Sequence, residues 1–128
     1  MASHEVDIVA RHVPAGEEVL LAFSAYTRMG LGRRVVGVTT RQLVVVKSGY
    51  MSLSDKGLLW AAPLTEIALN DTYTRWHTNG VYTGNAYVTI QRSDGSTTTL
   101  NPRSSFWGGR GSADDNIAAL YSAIPSRY

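Results

Sequence analysis

The sequence predicts a mainly β fold: a seven-stranded antiparallel barrel or sandwich, capped by a carboxyl-terminal α-helix and preceded by a short amino-terminal helix. Residues 35–46 hold two β-branched runs separated by a short polar segment, which is typical of a β-hairpin. Residues 43–46 are apolar at four successive positions, so we expect both faces of that strand to be buried. Apolar residues at helical spacing near each end of the chain predict the two helices.

Length and composition indicate one domain over residues 1–128, with a leading helix and linker at 1–16 and a core at 17–124. The chain has no cysteine, which excludes disulfides and thiolate metal sites and fits a reducing compartment. The histidines, at positions 4, 12 and 77, are too far apart to indicate a zinc site. We therefore expect neither a metal nor a cofactor.

Charge and hydropathy restrict the location and the partners. Two acids precede the first apolar run, unlike a secretory signal, and no stretch approaches the roughly 20 apolar residues of a membrane-spanning helix. A cytoplasmic protein is expected, with peripheral contact to an anionic membrane surface as an alternative. The net charge of +2 is low for a nucleic-acid binder, so nucleic acid is not expected as a partner.

The first half of the chain yields a helix and four strands. The helix is predicted over residues 3–13, with Ser3 as its cap and an inward stripe of Val6, Val9, Ala10 and Val13. Strands are predicted over residues 18–26, 33–39, 42–47 and 57–62, with loops at 27–32 and 48–56. Pro63 ends the fourth strand because proline cannot donate to a ladder.

The second half yields a long hairpin, one more strand and a helix. The fifth strand runs from residue 66 to 77, Asn79-Gly80 suits a type I′ turn, and the returning strand ends at residues 87–91. A turn at 93–95 leads to a seventh strand at 96–100. The last helix begins at Ser112 and stops at Pro125, with an apolar stripe of Ile117, Leu120, Tyr121 and Ile124.

Two short motifs and the order of elements resemble a known family. Residues 38–45, Val-Thr-Thr-Arg-Gln-Leu-Val-Val, and residues 63–67, Pro-Leu-Thr-Glu-Ile, are similar to a Thr-centred turn and a Pro-Leu-x-x-Ile element of the bacterial PH-like domains, a branch of the pleckstrin-homology superfold. Asp94-Gly95 also fits, and the resemblance spans residues 17–124. It implies a non-catalytic module that often self-associates into rings.

Basic residues concentrate between positions 26 and 47, a stretch without acids. Arg28, Arg33, Arg34 and Arg41 are candidates for binding an anion or an anionic lipid, because arginine forks suit phosphate oxygens. Arg33 and Arg34 are adjacent in a strand and point to opposite faces, so only one of them can join Arg28 around one ligand. Alternatively, these charges only solvate a strand edge and prevent aggregation.

Two aromatic clusters are candidates for protein interaction. Tyr73, Trp76, His77 and Tyr82 lie near the tip of the long hairpin, where rigid aromatics suit recognition, although pairing of Trp76 with Tyr82 across the strands would merely stiffen it. Trp107, next to Phe106 in a Gly-rich loop, either inserts into a membrane or partner, or plugs the barrel mouth.

Catalysis has little support in the sequence. No Gly-x-Ser-x-Gly motif is present, and no histidine lies where it would activate a nucleophile. We therefore expect a non-enzymatic module that acts through protein association, with a protein partner or a second copy of itself as a homo-oligomer. Binding of anionic lipid or phosphate head groups through the basic loop between the first two strands is the alternative.

Overall fold

The computed structural model describes residues 4–73, 76–78, 81–83, 85–103 and 111–128. Two α-helices lie near the ends, α1 (His4–Ala10) and α2 (Gly111–Ala123). The strands between them are β1 (Val19–Thr27), β2 (Arg33–Thr39), β3 (Gln42–Ser48), β4 (Asp55–Pro63), β5 (Ile67–Tyr73), β6 (Trp76–Thr78), β7 (Val81–Thr83), β8 (Ala86–Arg92) and β9 (Thr97–Asn101). A 3-10 turn (Leu64–Glu66) joins β4 to β5.

Within the described residues, seven strands form one antiparallel sheet in the order β4-β3-β2-β1-β9-β8-β5. The predicted fold class is thus confirmed, together with both terminal helices. The sheet is not closed, however, since β4 and β5 are its two edges and no pairing joins them in the described chain. The predicted fifth and returning strands each divide in two, and their outer parts form the separate β6-β7 ladder.

The apolar run at residues 43–46 is buried on both faces of the sheet, as predicted. Leu43 and Val45 belong to the main core, which strands from both halves of the sheet form together with α2. Val44 and Val46 point to the other face, where they pack with Ile8 and Val9 of α1. Side chains alternate along a strand, so two separate cores bury one strand completely.

The short helix α1 packs onto its own sheet, over β1, β2 and β3. A Cβ atom added to Gly37 of β2 would lie 2.4 Å from a methyl group of Val9, so the helix sits directly against the backbone there. The predicted inward stripe was partly wrong, because Ile8 is fully buried and Ala10 is exposed. His12 anchors the end of this segment to β4 through a 2.8 Å hydrogen bond between Nε2 and Asp55 Oδ2.

The carboxyl-terminal helix covers the main core as its stripe predicted. Ile117, Leu120 and Ile124 are buried, and Tyr121 is half-buried at the margin. The chain then runs beside edge strand β5, where Leu69 donates its N–H to Ser126 O at 2.9 Å. The tail therefore covers part of one open edge.

Hydrogen bonds join the two motifs that carry the family resemblance. The buried Thr39 hydroxyl accepts from the N–H groups of Arg41 and Gln42, at 3.1 and 3.0 Å, and so closes the β2-β3 turn. Leu64 donates its N–H to Arg41 O at 3.0 Å, which ties the Pro-Leu segment to that turn.

Candidate functional site

Two loops meet at one end of the sheet, and together they form the surface that we call the loop rim. They are the β1-β2 loop, residues 28–32, and the β3-β4 loop, residues 49–54. Arg33 pairs with Ser48 and Arg34 with Lys47, so the start of β2 and the end of β3 lie side by side. Antiparallel pairing thus brings together two loops that are separate in sequence.

Both loops are held by hydrogen bonds of their own. In the β1-β2 loop, Thr27 Oγ1 accepts from the N–H of Gly32 at 3.0 Å, and Gly30 adopts a φ of +74°. In the β3-β4 loop, Ser48 Oγ accepts from the N–H of Ser54, and Ser54 Oγ accepts from the N–H of Gly49. The loop tips are therefore fixed in shape before any partner arrives.

These tips carry large apolar side chains that are mostly exposed to water. Met29 is 79% exposed, Leu31 84% and Met51 91%, and Tyr50 beside Met51 is also exposed. Single exposed apolar residues are ordinary, but a group at one rim marks an interaction surface. No such group was predicted, and the only sequence signal was the scatter of apolar residues in Gly- and Ser-rich loops.

Beside these tips lies a cavity of about 510 Å³, which we call the basic groove. Its charged lining residues are Arg33, Arg34, Lys47 and Lys56. Tyr50 lines it as well, and its ring packs edge-on against Tyr26 at 5.8 Å. No acid is among the described lining residues, so the cations repel one another and favour an anion between them.

Arg33 and Arg34, which were predicted to point to opposite faces, both line the groove but make different contacts. Arg33 donates from Nη2 to Ser24 Oγ at 3.4 Å and lies 5.7 Å from the centre of the Tyr26 ring. Arg34 donates from Nη1 to the carbonyl of Arg33. Arg33 is thus packed against the sheet, and Arg34, Lys47 and Lys56 are the cations best placed to move toward an anion.

Asp55, the acid next to Lys56 in sequence, is bonded to groups that do not line the basic groove. Its Oδ1 accepts from the N–H of Gly57 at 2.9 Å, and its Oδ2 meets His12. The Gly57 hydrogen bond and the bond from His12 lower the pKa of this carboxyl, against an opposing effect of burial. Asp55 therefore stays ionised near neutral pH and holds the segment that follows α1.

Arg28 lies outside the basic groove. It lines a second cavity of about 320 Å³, which we call the asparagine cavity, with Asn85, Tyr87, Asn101 and Arg103. The two cavities flank the β1-β2 loop and share none of their described lining residues. The structure therefore separates Arg28 from Arg33 and Arg34, which the sequence had grouped as one candidate site.

Arg41 is more distant still. It lies in the β2-β3 turn, at the opposite end of those strands from the loop rim, and lines a small cavity with Glu17 and Thr40. A single site that uses Arg41 together with Arg28 is not assembled by this fold. Arg41 was grouped with the others because it is near in sequence, whereas a seven-residue strand separates the two ends.

The aromatic candidates for protein interaction are only partly described. Tyr73 ends β5 and is exposed. In the β6-β7 ladder Tyr82 stands opposite His77 and Trp76 opposite Thr83, so the predicted Trp76-Tyr82 pair is wrong in register. The side chains of these ladder residues, the Asn79-Gly80 turn, and Phe106 with Trp107 lie outside the described residues.

Two features are absent from the described part of the chain. No helix there is long and apolar enough to cross a membrane. No group of three or more histidine, aspartate or glutamate side chains there is placed to hold a metal ion.

Comparison with known proteins bears on the fold. No protein-family model matches the chain, and no curated protein matches it. Among solved structures, the chain is similar to the C-terminal domain of an unknown protein from Leishmania infantum, at 14% sequence identity and a TM-score of 0.55. The match covers 94% of each chain. At this identity the similarity concerns the fold alone.

Proposed function

We propose that this protein is a non-enzymatic PH-like domain that docks on anionic membrane surfaces through its loop rim. The observation that carries the proposal is the placement of three highly exposed apolar side chains, Met29, Leu31 and Met51, beside the basic groove. The strand order and the helix at the end of the chain support the PH-like assignment, which rests on the resemblance of the two sequence motifs.

The combination of apolar tips and cations matches what a bilayer surface offers. Apolar side chains gain free energy on entering the boundary between head groups and acyl chains. Each Lys or Arg near an anionic surface adds about 1 kcal/mol of attraction. The hydrogen-bonded loops lower the entropic cost of docking because they need little further ordering.

Vesicle co-sedimentation tests the proposal. We expect the protein to sediment with vesicles that contain phosphatidylserine or phosphatidylglycerol and to stay in solution with purely zwitterionic vesicles. Binding should weaken as salt rises, since the electrostatic part is screened within a Debye length of about 10 Å at 0.1 M salt. Replacing Arg34 and Lys47 with Ala should weaken it about thirtyfold at low salt, since two contributions of about 1 kcal/mol each are lost.

Matched variants distinguish docking from nonspecific adhesion. Met29→Ser combined with Met51→Ser should reduce binding at every salt concentration, because the apolar contribution is not screened. Leu20→Ser and Arg41→Ala are the controls, since both residues lie at the opposite end of the sheet and Leu20 is likewise exposed. Binding that the controls reduce as much as the rim variants would refute the proposed surface.

Protein association is a second candidate function, favoured by edge strand β4. Its outer side has no strand partner in the described chain, and Leu58 and Leu59 are about half exposed along it. An uncovered edge is a template for pairing with another strand.

A further inference from the structure

The asparagine cavity lies on the outer face of the sheet, beside the β1-β2 loop. Asn101 of β9 pairs with Tyr26 of β1, at the only stretch where these strands meet among the described residues. Leu100 and Val88 point into the main core, so their neighbours Asn101 and Tyr87 point to the opposite face. The β1-β2 loop, with Arg28 and Met29, completes the lining.

Two buried polar atoms of this cavity have no hydrogen-bond partner in the described part of the chain. Asn85 Oδ1 accepts from Asn101 Nδ2 at 3.3 Å and from Arg103 Nη1 at 3.2 Å. Asn101 is only 9% exposed, yet its Oδ1 has no hydrogen-bond partner, and neither does the buried Nε of Arg103, within the part of the chain that is described. Buried polar atoms are rarely left unsatisfied, so these two require a partner.

The unsatisfied groups define the chemistry of that partner. Arg28 and Arg103 bring two positive charges, and the described lining residues include no acid. A tetrahedral phosphate has enough oxygens to accept from two guanidinium groups that approach from different elements. The Asn101 oxygen, in contrast, needs a donor, which a phosphate dianion lacks and a neighbouring hydroxyl group supplies.

We propose that the asparagine cavity binds a small phosphate ester that carries a hydroxyl group near its phosphate, with Arg28 and Arg103 on the phosphate and Asn101 on the hydroxyl. The cavity volume of about 320 Å³ falls within the range of small-ligand sites. Such a group occurs in soluble polyol phosphates and in the glycerol head group of a phospholipid. The site is distinct from the basic groove and does not depend on membrane docking there.

Calorimetric titration with glycerol 1-phosphate tests the chemistry. Propyl phosphate is the matched comparison, because it has the same chain length without hydroxyl groups. We expect the wild-type protein to bind glycerol 1-phosphate about tenfold more tightly than propyl phosphate, since one well-placed hydrogen bond is lost. Equal affinities for the two esters, or no heat with either at millimolar concentration, would overturn the proposal.

Variants assign the roles of the residues. Asn101→Ala should abolish the preference for glycerol 1-phosphate and retain the weaker binding of propyl phosphate, whereas Arg28→Ala should weaken both. Arg41→Ala, at the opposite end of β2 and β3 from both cavities, should change neither. Should Asn101→Ala fail to fold, the wild-type side-chain amide signals of Asn101 provide the readout by NMR. At equal saturation they should shift more with glycerol 1-phosphate than with propyl phosphate, and equal or reversed shifts would refute the assignment.

Vesicles distinguish the two sources of the ligand. If the head group is the source, Asn101→Ala should reduce sedimentation with phosphatidylglycerol vesicles and leave sedimentation with phosphatidic acid vesicles unchanged, since phosphatidic acid lacks the glycerol hydroxyls. A soluble source predicts no effect of Asn101→Ala on either vesicle, together with the loss of preference in calorimetry. An Asn101→Ala protein that folds and shows no change in any of these measurements would end the proposal.

Discussion

One hydrogen bond joins the carboxyl-terminal helix to the edge of the sheet. The hydroxyl of Tyr121 in α2 donates to Asp71 Oδ1 of β5 at 2.5 Å, and the guanidinium of Arg127 lies 3.7 Å from the centre of the Tyr121 ring. The Tyr121 hydroxyl is the main cause that lowers the pKa of Asp71. Burial, followed by the bond to Asp71, raises the pKa of Tyr121. Tyr121 thus favours the ionised form of Asp71, and Asp71 favours the protonated form of Tyr121.

We predict that Tyr121→Phe lowers the free energy of unfolding at pH 7 by about 1–2 kcal/mol, since a bond to a charged acceptor is lost. The folded pKa of Asp71 is depressed, so its contribution is present above the unfolded value near 4 and disappears as pH falls through the folded value. The folded pKa of Tyr121 is raised, so its contribution is lost as pH rises above about 10.

Urea denaturation across pH checks this prediction. The difference between Tyr121→Phe and the wild type should be largest between about pH 5 and 9 and should shrink on either side. Tyr128→Phe is the control, because that side chain is exposed. A difference that stays constant from pH 2 to pH 11 would show that the hydroxyl acts through packing and not through Asp71.

At the scale of elements, the position of α1 depends on a missing side chain. Gly37 lies under Val9, and an added Cβ atom would approach three carbon atoms of that residue at 2.4, 2.5 and 3.0 Å. Gly37 has no positive φ that would explain its presence by backbone conformation. Its role is to let the helix approach the sheet, which buries Val35, Val44 and Val46 on the second face.

Gly37→Ala should destabilise the protein by about 1–3 kcal/mol, because the helix must move outward or Val9 must change its rotamer. Val9→Ala removes the atoms that clash and opens a gap, so alone it also costs stability. The double variant should be more stable than the sum of the two single changes predicts, which thermal or urea unfolding measures as a double-mutant cycle. Strict additivity would mean that α1 does not rest on Gly37.

Sequence patterns predicted most elements, and their errors have physical reasons. The seven-residue α1 makes only two turns, so the 3.6-residue period does not determine which face is buried, and Ile8 was overlooked. In contrast, the stripe of α2 extends over several turns and its buried residues were identified. In the β6-β7 ladder, Tyr82 stands opposite His77 and not opposite Trp76, a register that the aromatic residues alone do not determine.

For the whole molecule, the open sheet and the candidate sites depend on contacts that are distant in sequence. Among the described residues, only two residue pairs join β1 to β9, and this junction links the two halves of the sheet. No local sequence pattern indicates that junction, or indicates that β4 and β5 remain edges. The same junction separates Arg28 from the basic groove and places it beside Asn101. The sequence could therefore predict basic loop residues, but not their division between two cavities.

The two edges of the open sheet are protected to different degrees. The chain after α2 makes a parallel bridge to β5 at Leu69. Across the opening, the Arg92 guanidinium at the end of β8 lies 4.4 Å from the centre of the Trp60 ring of β4, a cation-π contact. The outer backbone of β4 keeps no strand partner in the described chain. Two irregularities in its register, at Leu59 and near Gly57, and the charge of Lys56 counteract pairing.

Self-association of the protein is therefore predicted to use β4. Two copies that pair along this strand would satisfy its free backbone groups and bury Leu58 and Leu59, so light scattering should show a discrete oligomer at high micromolar concentration. Leu58→Lys combined with Leu59→Lys should weaken that oligomer about tenfold or more, since like charges would face each other across the pairing. Leu20→Lys, at an exposed leucine of β1, should leave it intact. A strictly monomeric wild type would contradict self-association. An oligomer that survives the two lysines would show that the contact lies outside β4, although β4 is the strand edge that the tail leaves uncovered within the described residues.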